Sequence, residues 1–153
     1  MAAKVMVSDM GDEQQTGVTM QRHSGSCLCG AVTFEVMGNF DSFYLCHCKY
    51  CQKDSGSAHG ANLFATSAQL RWLTGDTLVN QFTLAGSRHS KSFCQHCGSA
   101  LPGTQLDGSL VVVPAGSLDS PVSMRPTAHL FIASKAPWES AFDDIPSYAQ
   151  FPD

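Results

Sequence analysis

The sequence predicts an all-β domain with little helix, on three observations. Short runs of alternating apolar and polar residues recur along the chain, turn-forming residues separate them, and no segment carries the long periodicity of an amphipathic helix. The size suits one such domain, since 153 residues compares with roughly 150 per domain. With 43% hydrophobic and 14% charged residues, the chain can bury a core, the reverse of a disordered composition.

The elements follow in order. Residues 1–24, with Gly11, Gln14, Gln15, Gly17 and weak periodicity, are expected to form a loose arm, and residues 25–153 a single domain ordered from Gly25. Residues 31–36 alternate, with Val32, Phe34 and Val36 on one face and Thr33 and Glu35 on the other, which reads as a half-buried strand. Further strands are expected over 43–46, 61–65, 78–84, 89–93, 110–113 and 128–132, and a short helical turn over 67–73. Thr74-Gly75-Asp76, Asp107-Gly108 and Asp119-Ser120-Pro121 supply turns between them. There is no internal repeat or low-complexity tract.

Composition excludes several functions. No run approaches the roughly 18 apolar residues of a membrane-spanning helix. The first ten residues, with Lys4, Asp9 and no long apolar run, do not make a secretory leader, so a cytoplasmic location is expected. A net charge of −4 without clustered lysine and arginine argues against nucleic acid as partner. Bases gather in the middle of the chain, where Lys49, Lys53, Arg71, Arg88 and Lys91 face only Asp54 and Asp76; this leaves room for a small anionic ligand or merely a solvated face.

The cysteines carry the chemistry. Seven is an odd number for a disulfide framework, and they fall in three clusters: Cys27-Leu28-Cys29, Cys46-His47-Cys48-Lys49-Tyr50-Cys51 and Cys94-Gln95-His96-Cys97. In extended backbone residues i and i+2 share a face, so Cys27 and Cys29 can offer two thiolates to one ion. Cys94 and Cys97, followed by Gly98, have the spacing of a zinc knuckle, and His96 within it is expected to be exposed. The middle cluster combines both devices and can bring three sulfurs together locally. A four-plus-three division, with Cys27, Cys29, Cys94 and Cys97 as a closed site and Cys46, Cys48 and Cys51 as an open one, accounts for all seven; spacing also allows the first pair to join the middle cluster. The fourth position of the open site is available to His47, His59 or a water, with His47 expected to point away.

On these residues the sequence resembles the glutathione-dependent formaldehyde-activating enzymes, the centromere-protein-V/GFA-like domain. The matching words are Gly25-Ser26-Cys27-Leu28-Cys29-Gly30-Ala31-Val32, Cys46-His47-Cys48 with Cys51, Ser55-Gly56-Ser57, and Phe93-Cys94 leading to Cys97-Gly98-Ser99. Ala115-Gly116-Ser117-Leu118-Asp119, Arg125-Pro126, His129, Ser134-Lys135-Ala136-Pro137-Trp138 and Asp143-Asp144 extend the match to about residue 152. The resemblance implies several small antiparallel sheets of the β-tent type stitched by two zinc ions. One ion is structural, on Cys27, Cys29, Cys94 and Cys97; the other is catalytic, on Cys46, Cys48 and Cys51. It further implies a carbon–sulfur lyase that joins formaldehyde to the thiol of glutathione, or cleaves the S-hydroxymethyl adduct.

The chemistry suits the residues. A zinc with three thiolates and one exchangeable position can hold a substrate thiol as thiolate, the nucleophilic form. Three thiolates already leave that centre formally negative, so a fourth calls for nearby positive charge. Lys49 and Lys53 flank the ligands, and Arg88, Lys91, Arg125 and Lys135 are further candidates. Ser55, Gly56 and Ser57 follow the cluster and can line a pocket, His59 and His129 can carry protons, and Trp138 can wall the cleft or anchor the core. Two rival readings predict different properties: a thiol carrier that accelerates nothing, and a zinc-stabilised interaction module with an apolar surface patch.

Overall fold

The computed structural model describes residues 20–140 and 142–152. Within the first half lie β1 (Arg22–Ser26), β2 (Thr33–Met37), β3 (Ser42–Cys46), α1 (Lys49–Ser55), β4 (Gly60–Ala65) and β5 (Gln69–Thr74). The second half adds β6 (Val79–Thr83), β7 (Ser90–Cys94), β8 (Ala100–Leu101), β9 (Gly103–Gln105), β10 (Leu110–Pro114) and β11 (Ala128–Leu130). They build three sheets, in the orders β1-β2-β5, β11-β3-β4-β10-β9 and β6-β7-β8. The fold is all-β, and the described helix is α1 with short 3-10 turns.

Alternation places the core. Val32, Phe34 and Val36 are fully buried, as are Leu63 and Ala65 of β4 and Val113 of β10. Cys27 and Cys94 belong to the same buried cluster, so two of the candidate sulfur ligands are also core residues.

The structure departs from the sequence reading at five places. Residues 1–19 of the expected arm lie outside the described residues, but Arg22 to Ser24 already belong to β1, which pairs with β2 along its whole length. The segment expected as a helical turn over 67–73 is mostly β5, because Leu70 and Trp72 turn inward while Gln69 and Arg71 face out, a two-residue period. Glu35, expected on the solvent face, is 1% exposed. Its carboxylate is clamped by Arg22 and by Arg71, its cross-strand partner on β5, and pairing of this kind makes burial of a charge tolerable. Residues 49–55, which had no assignment, form α1, with Cys48 as N-cap and Gly56 in the left-handed conformation at its end.

The fifth departure concerns strand direction. All pairs are antiparallel except β11, which runs parallel to β3. The chain between β10 and β11 crosses over β1: Leu118 bridges Gly25, and the Asp119 N–H donates to the Ser24 carbonyl at 2.9 Å. It thus returns to the end of β3 at which that strand begins, where the Thr127 N–H donates to the Phe43 carbonyl at 2.6 Å.

That crossing needs Gly25. A methyl group there would sit 2.2 Å from the Phe34 ring and 2.4 Å from the Ser117 carbonyl oxygen, whereas nothing lies within 4 Å of one on Gly116. Gly25→Ala is therefore expected to destabilise the domain by about 1–3 kcal/mol, lowering Tm by several degrees, with Gly116→Ala close to neutral. Thermal melts of the two variants check this, and equal Tm values would contradict it.

Candidate functional site

Two tight turns build the four-sulfur cluster. Cys27 to Gly30 close the β1–β2 hairpin as a turn, not as the extended pair expected, and the Gly30 N–H donates to the Cys27 carbonyl at 2.9 Å. Cys94 ends β7, and the Gly98 N–H donates back to its carbonyl at 2.8 Å. Both turns resolve through a left-handed glycine just after the second cysteine, Gly30 at φ +74° and Gly98 at φ +72°. His96 stands exposed between the sulfurs, as expected.

The four Sγ atoms lie within 4.8 Å of one another, with Cys27 and Cys29 at 3.5 Å and Cys29 and Cys94 at 4.0 Å. Their ionisation is strongly uneven. The Ser99 and Cys29 backbone N–H groups hold the Cys97 thiol down at about 6. Against a lowering bond from the Ala31 N–H, Cys27, desolvation and the other two sulfurs push Cys29 up to about 11. Without a cation, one thiolate suppresses the ionisation of its neighbours.

The three-sulfur cluster is local. Cys46 ends β3, Cys48 caps α1 and accepts the Cys51 N–H at 3.4 Å, and Cys51 lies in the first turn of the helix. Their Sγ atoms again lie within 4.8 Å of one another. Gly60, opposite Cys46 on β4, leaves space for Cys51: a methyl there would come within 3.5 Å of its sulfur. Burial pushes the Cys51 thiol up, and Cys46 and Cys48 push it further. Burial also raises Cys48, but the N–H groups of Cys51 and Tyr50 and the two neighbouring thiols bring it below its ordinary value. Each cluster can hold a metal ion, and soft sulfur donors in this number suit zinc-like ions.

A difference of surroundings separates the clusters. Cys46 and Cys51 line a cleft of about 170 Å³ whose far wall is Arg88, His89 and Lys91, with Asn62 and Gln105 also reaching it. Lys91 Nζ lies 2.7 Å from Asp54 Oδ1 and donates to the Asp54 carbonyl at 2.8 Å, tying β7 to the end of α1. His89 Nε2 lies 3.4 Å from Asp54 Oδ2. Arg88 has no carboxylate partner among the described residues. A second lobe of about 260 Å³ adjoins at Asp54, His89 and Lys91 and is walled by Tyr50, Phe82 and Leu84.

Of the substrate contacts expected from sequence, Lys53 reaches only the second lobe. Lys49 donates to Gln52 on the exposed side of α1 at 3.3 Å. The Ser55 hydroxyl donates to the Cys51 carbonyl at 2.7 Å and works as a helix-end lock. Trp138 neither anchors the core nor walls the cleft: it is 62% exposed, against Phe142. His59 stacks 5.1 Å from His47, away from the cleft lining, and burial, then the His47 charge, lower its pKa. His47 is fully buried, with Nδ1 2.9 Å from Glu139 Oε2 and Nε2 2.8 Å from His129 Nδ1. Arg88 and Lys91 are the further candidates that do reach the cleft. Sequence reasoning missed His89 and Asn62; the alternation of β4, which puts Gly60 and Asn62 on one face, was the available signal for the latter.

These features define a small all-β protein with one sulfur cluster at the edge of the core and another opening on a cleft lined by basic and amide side chains. The family model for the glutathione-dependent formaldehyde-activating enzyme matches residues 22–134, and the chain belongs to that family. A Halomonas elongata protein described as "Putative glutathione-dependent formaldehyde-activating enzyme" is 31% identical over 142 residues, covering 84% of this chain and 88% of that protein. A crystal structure of a Rhodobacter sphaeroides protein matches with a TM-score of 0.51 at 20% identity, covering 69% of this chain and 98% of the other, which supports the fold.

The uneven ionisation is directly testable. In metal-free protein at pH 7.5, iodoacetamide is expected to alkylate Cys97 before Cys29 and Cys51, because only the thiolate reacts. Peptide mapping over a time course reads the order, and early modification of Cys29 would contradict it.

Proposed function

We propose that this protein is a zinc-dependent carbon–sulfur lyase of the formaldehyde-activating type. It joins formaldehyde to a carboxylate-bearing thiol such as glutathione, or cleaves the S-hydroxymethyl adduct. One observation carries the reading: of the two sulfur clusters, Cys46–Cys48–Cys51 has three donors, of which Cys46 and Cys51 line a cleft, while Cys27–Cys29–Cys94–Cys97 has four donors, two of them in the core. Closed four-donor sites are typically structural, and three protein donors with an open position are typically catalytic. The first zinc would therefore sit on Cys27, Cys29, Cys94 and Cys97, and the catalytic one on Cys46, Cys48 and Cys51.

When bound, zinc on the three-sulfur set supplies a position at which a thiol ionises near neutral pH. The chain's own residues do the rest. Arg88, with no carboxylate partner among the described residues, receives a substrate carboxylate and adds positive charge to a site that otherwise becomes more negative with each thiolate, while the charge of Lys91 is balanced by Asp54. His89, whose Nε2 faces Asp54 in the cleft wall, takes the thiol proton on Nδ1, the ring nitrogen that Asp54 leaves free. The thiolate sulfur forms a bond to the carbonyl carbon, the π pair moves to oxygen, and that oxygen receives the proton back. Cleavage is the same sequence reversed. The cytoplasm, a reducing compartment, keeps seven such thiols available.

The interaction-module reading has one supporting observation of its own. Trp138, Ile145, Tyr148 and Phe151 are 60% or more exposed in the C-terminal segment, and they form apolar surface apart from the cleft. Kinetics together with thiol binding separates the three readings: a rate of glutathione–formaldehyde condensation above the uncatalysed rate supports the enzyme, bound thiol without excess rate supports a carrier, and neither supports the interaction module.

Two variants test the division of labour. Cys48→Ser is expected to abolish thiol binding and activity with Tm nearly kept, while Cys97→Ser lowers Tm sharply; equal falls in Tm would contradict separate roles. Arg88→Ala is expected to raise KM for glutathione about tenfold or more, from the loss of about 1.5–3 kcal/mol in a charged hydrogen bond, with kcat little changed. An unchanged KM removes Arg88 from the binding site.

A further inference from the structure

Outside the two sulfur clusters, a third group of ligating side chains converges. One ring nitrogen each of His47 and His59 and an oxygen of Glu139 lie within 4.8 Å of one another. They come from three separate places: the loop between β3 and α1, the approach to β4, and the 3-10 turn Pro137–Glu139. His47 is 0% and Glu139 7% exposed, so a carboxyl group and an imidazole are committed here away from water.

Hydrogen bonding within the group is incomplete in a particular way. His47 Nδ1 and Glu139 satisfy each other, and His47 Nε2 is satisfied by His129. His59 Nδ1 is buried with no hydrogen-bond partner among the described residues. A buried ring nitrogen without a partner is costly, and the His59 ring lies 5.1 Å from that of His47 in a neighbourhood that already holds an imidazole and a carboxylate. A cation placed among the three would satisfy it. His47 is also wired as a ligand would be: with Nδ1 on an ion, its Nε2–H donates to His129 Nδ1, the outer partner that fixes tautomer and ring orientation in metal-binding histidines.

We propose that His47, His59 and Glu139 form a third metal site, for a divalent transition ion of the zinc class. Two imidazoles and one carboxylate are a known donor set for such ions, with a fourth position left to water. The formal charge of the loaded site is positive by one unit, and the three-thiolate zinc centre is negative by one. His47 lies between Cys46 and Cys48 in the chain, so the ion would hold the loop that presents both sulfurs and offset their charge. It would also tie the C-terminal segment, through Glu139, to that loop. The site goes beyond the proposed function, which places metal only on the cysteine clusters.

The test counts ions. Protein saturated with zinc and freed of excess by gel filtration is weighed by native mass spectrometry, for wild type, His59→Ala and Glu139→Gln. Glu139→Gln keeps the shape of the buried side chain, so one variant remains folded if the other does not, and circular dichroism verifies each. Three zinc ions in wild type and two in the variants are expected, with thiolate-to-cobalt charge-transfer absorption of the cobalt forms unchanged. Two ions in wild type, or equal counts in all three proteins, would overturn the site. Cobalt bound without thiolate charge transfer, yet lost in His59→Ala, would support the third site while refuting the cysteine centres of the proposed function.

Discussion

The meeting of two hairpin turns at four sulfurs is the constraint on which the rest of the structure depends. Cys27 and Cys29 close the β1–β2 hairpin of one sheet, and Cys94 and Cys97 close the β7–β8 turn of another, with Cys29 and Cys94 separated by 65 positions. Chain closure over that distance is entropically unfavourable, and four thiols crowded together resist joint ionisation without a cation. A metal ion there would resolve both problems at once, and its binding energy would become folding energy.

The cleft inherits its geometry from that junction. β7 runs from the wall of the cleft, at Ser90 and Lys91, to the four-sulfur centre, at Cys94. Fixing Cys94 therefore fixes Lys91, and the ion pair of Lys91 with Asp54 brings the wall against α1, which carries Cys51. On the other flank, Gln52 of α1 donates to the Ser134 carbonyl at 2.9 Å, and Glu139 buttresses His47. The three-sulfur cluster is thus local in sequence but held from both sides by distant parts of the chain. That arrangement lets Cys46 of β3 and Cys51 of α1 reach a cleft without the chain collapsing around them.

Much of the fold was legible because burial and backbone period agree. Val32, Phe34 and Val36 showed their alternation directly, and the expected strands over 43–46, 61–65 and 110–113 fall within β3, β4 and β10. β5 was misread because a window as short as Leu70 to Leu73 fits a turn of helix as easily as a strand until its partner is known; that partner is β2, with Glu35 opposite Arg71. α1 gave no start signal because its cap is a cysteine and not one of the usual capping residues. The three chelating clusters could be read from spacing, since chelation imposes local geometry, but spacing left open which of them share an ion; the fold brings Cys27 and Cys29 to Cys94 and Cys97. The cleft wall could not, because Arg88, His89 and Lys91 meet Cys51 only through pairings set far along the chain. The contact of His47 with Glu139, 92 positions away, was hidden for the same reason.

The central claim is that the Cys46–Cys48–Cys51 centre keeps a position open for a substrate thiol. Cobalt-substituted protein tests it most directly, titrated with glutathione while thiolate-to-cobalt charge-transfer absorption is recorded. The account predicts a rise that saturates at one glutathione per chain and is absent in Cys48→Ser. An absorption spectrum unchanged by glutathione, with both cysteine clusters loaded, would mean that the second centre is closed and would contradict the account.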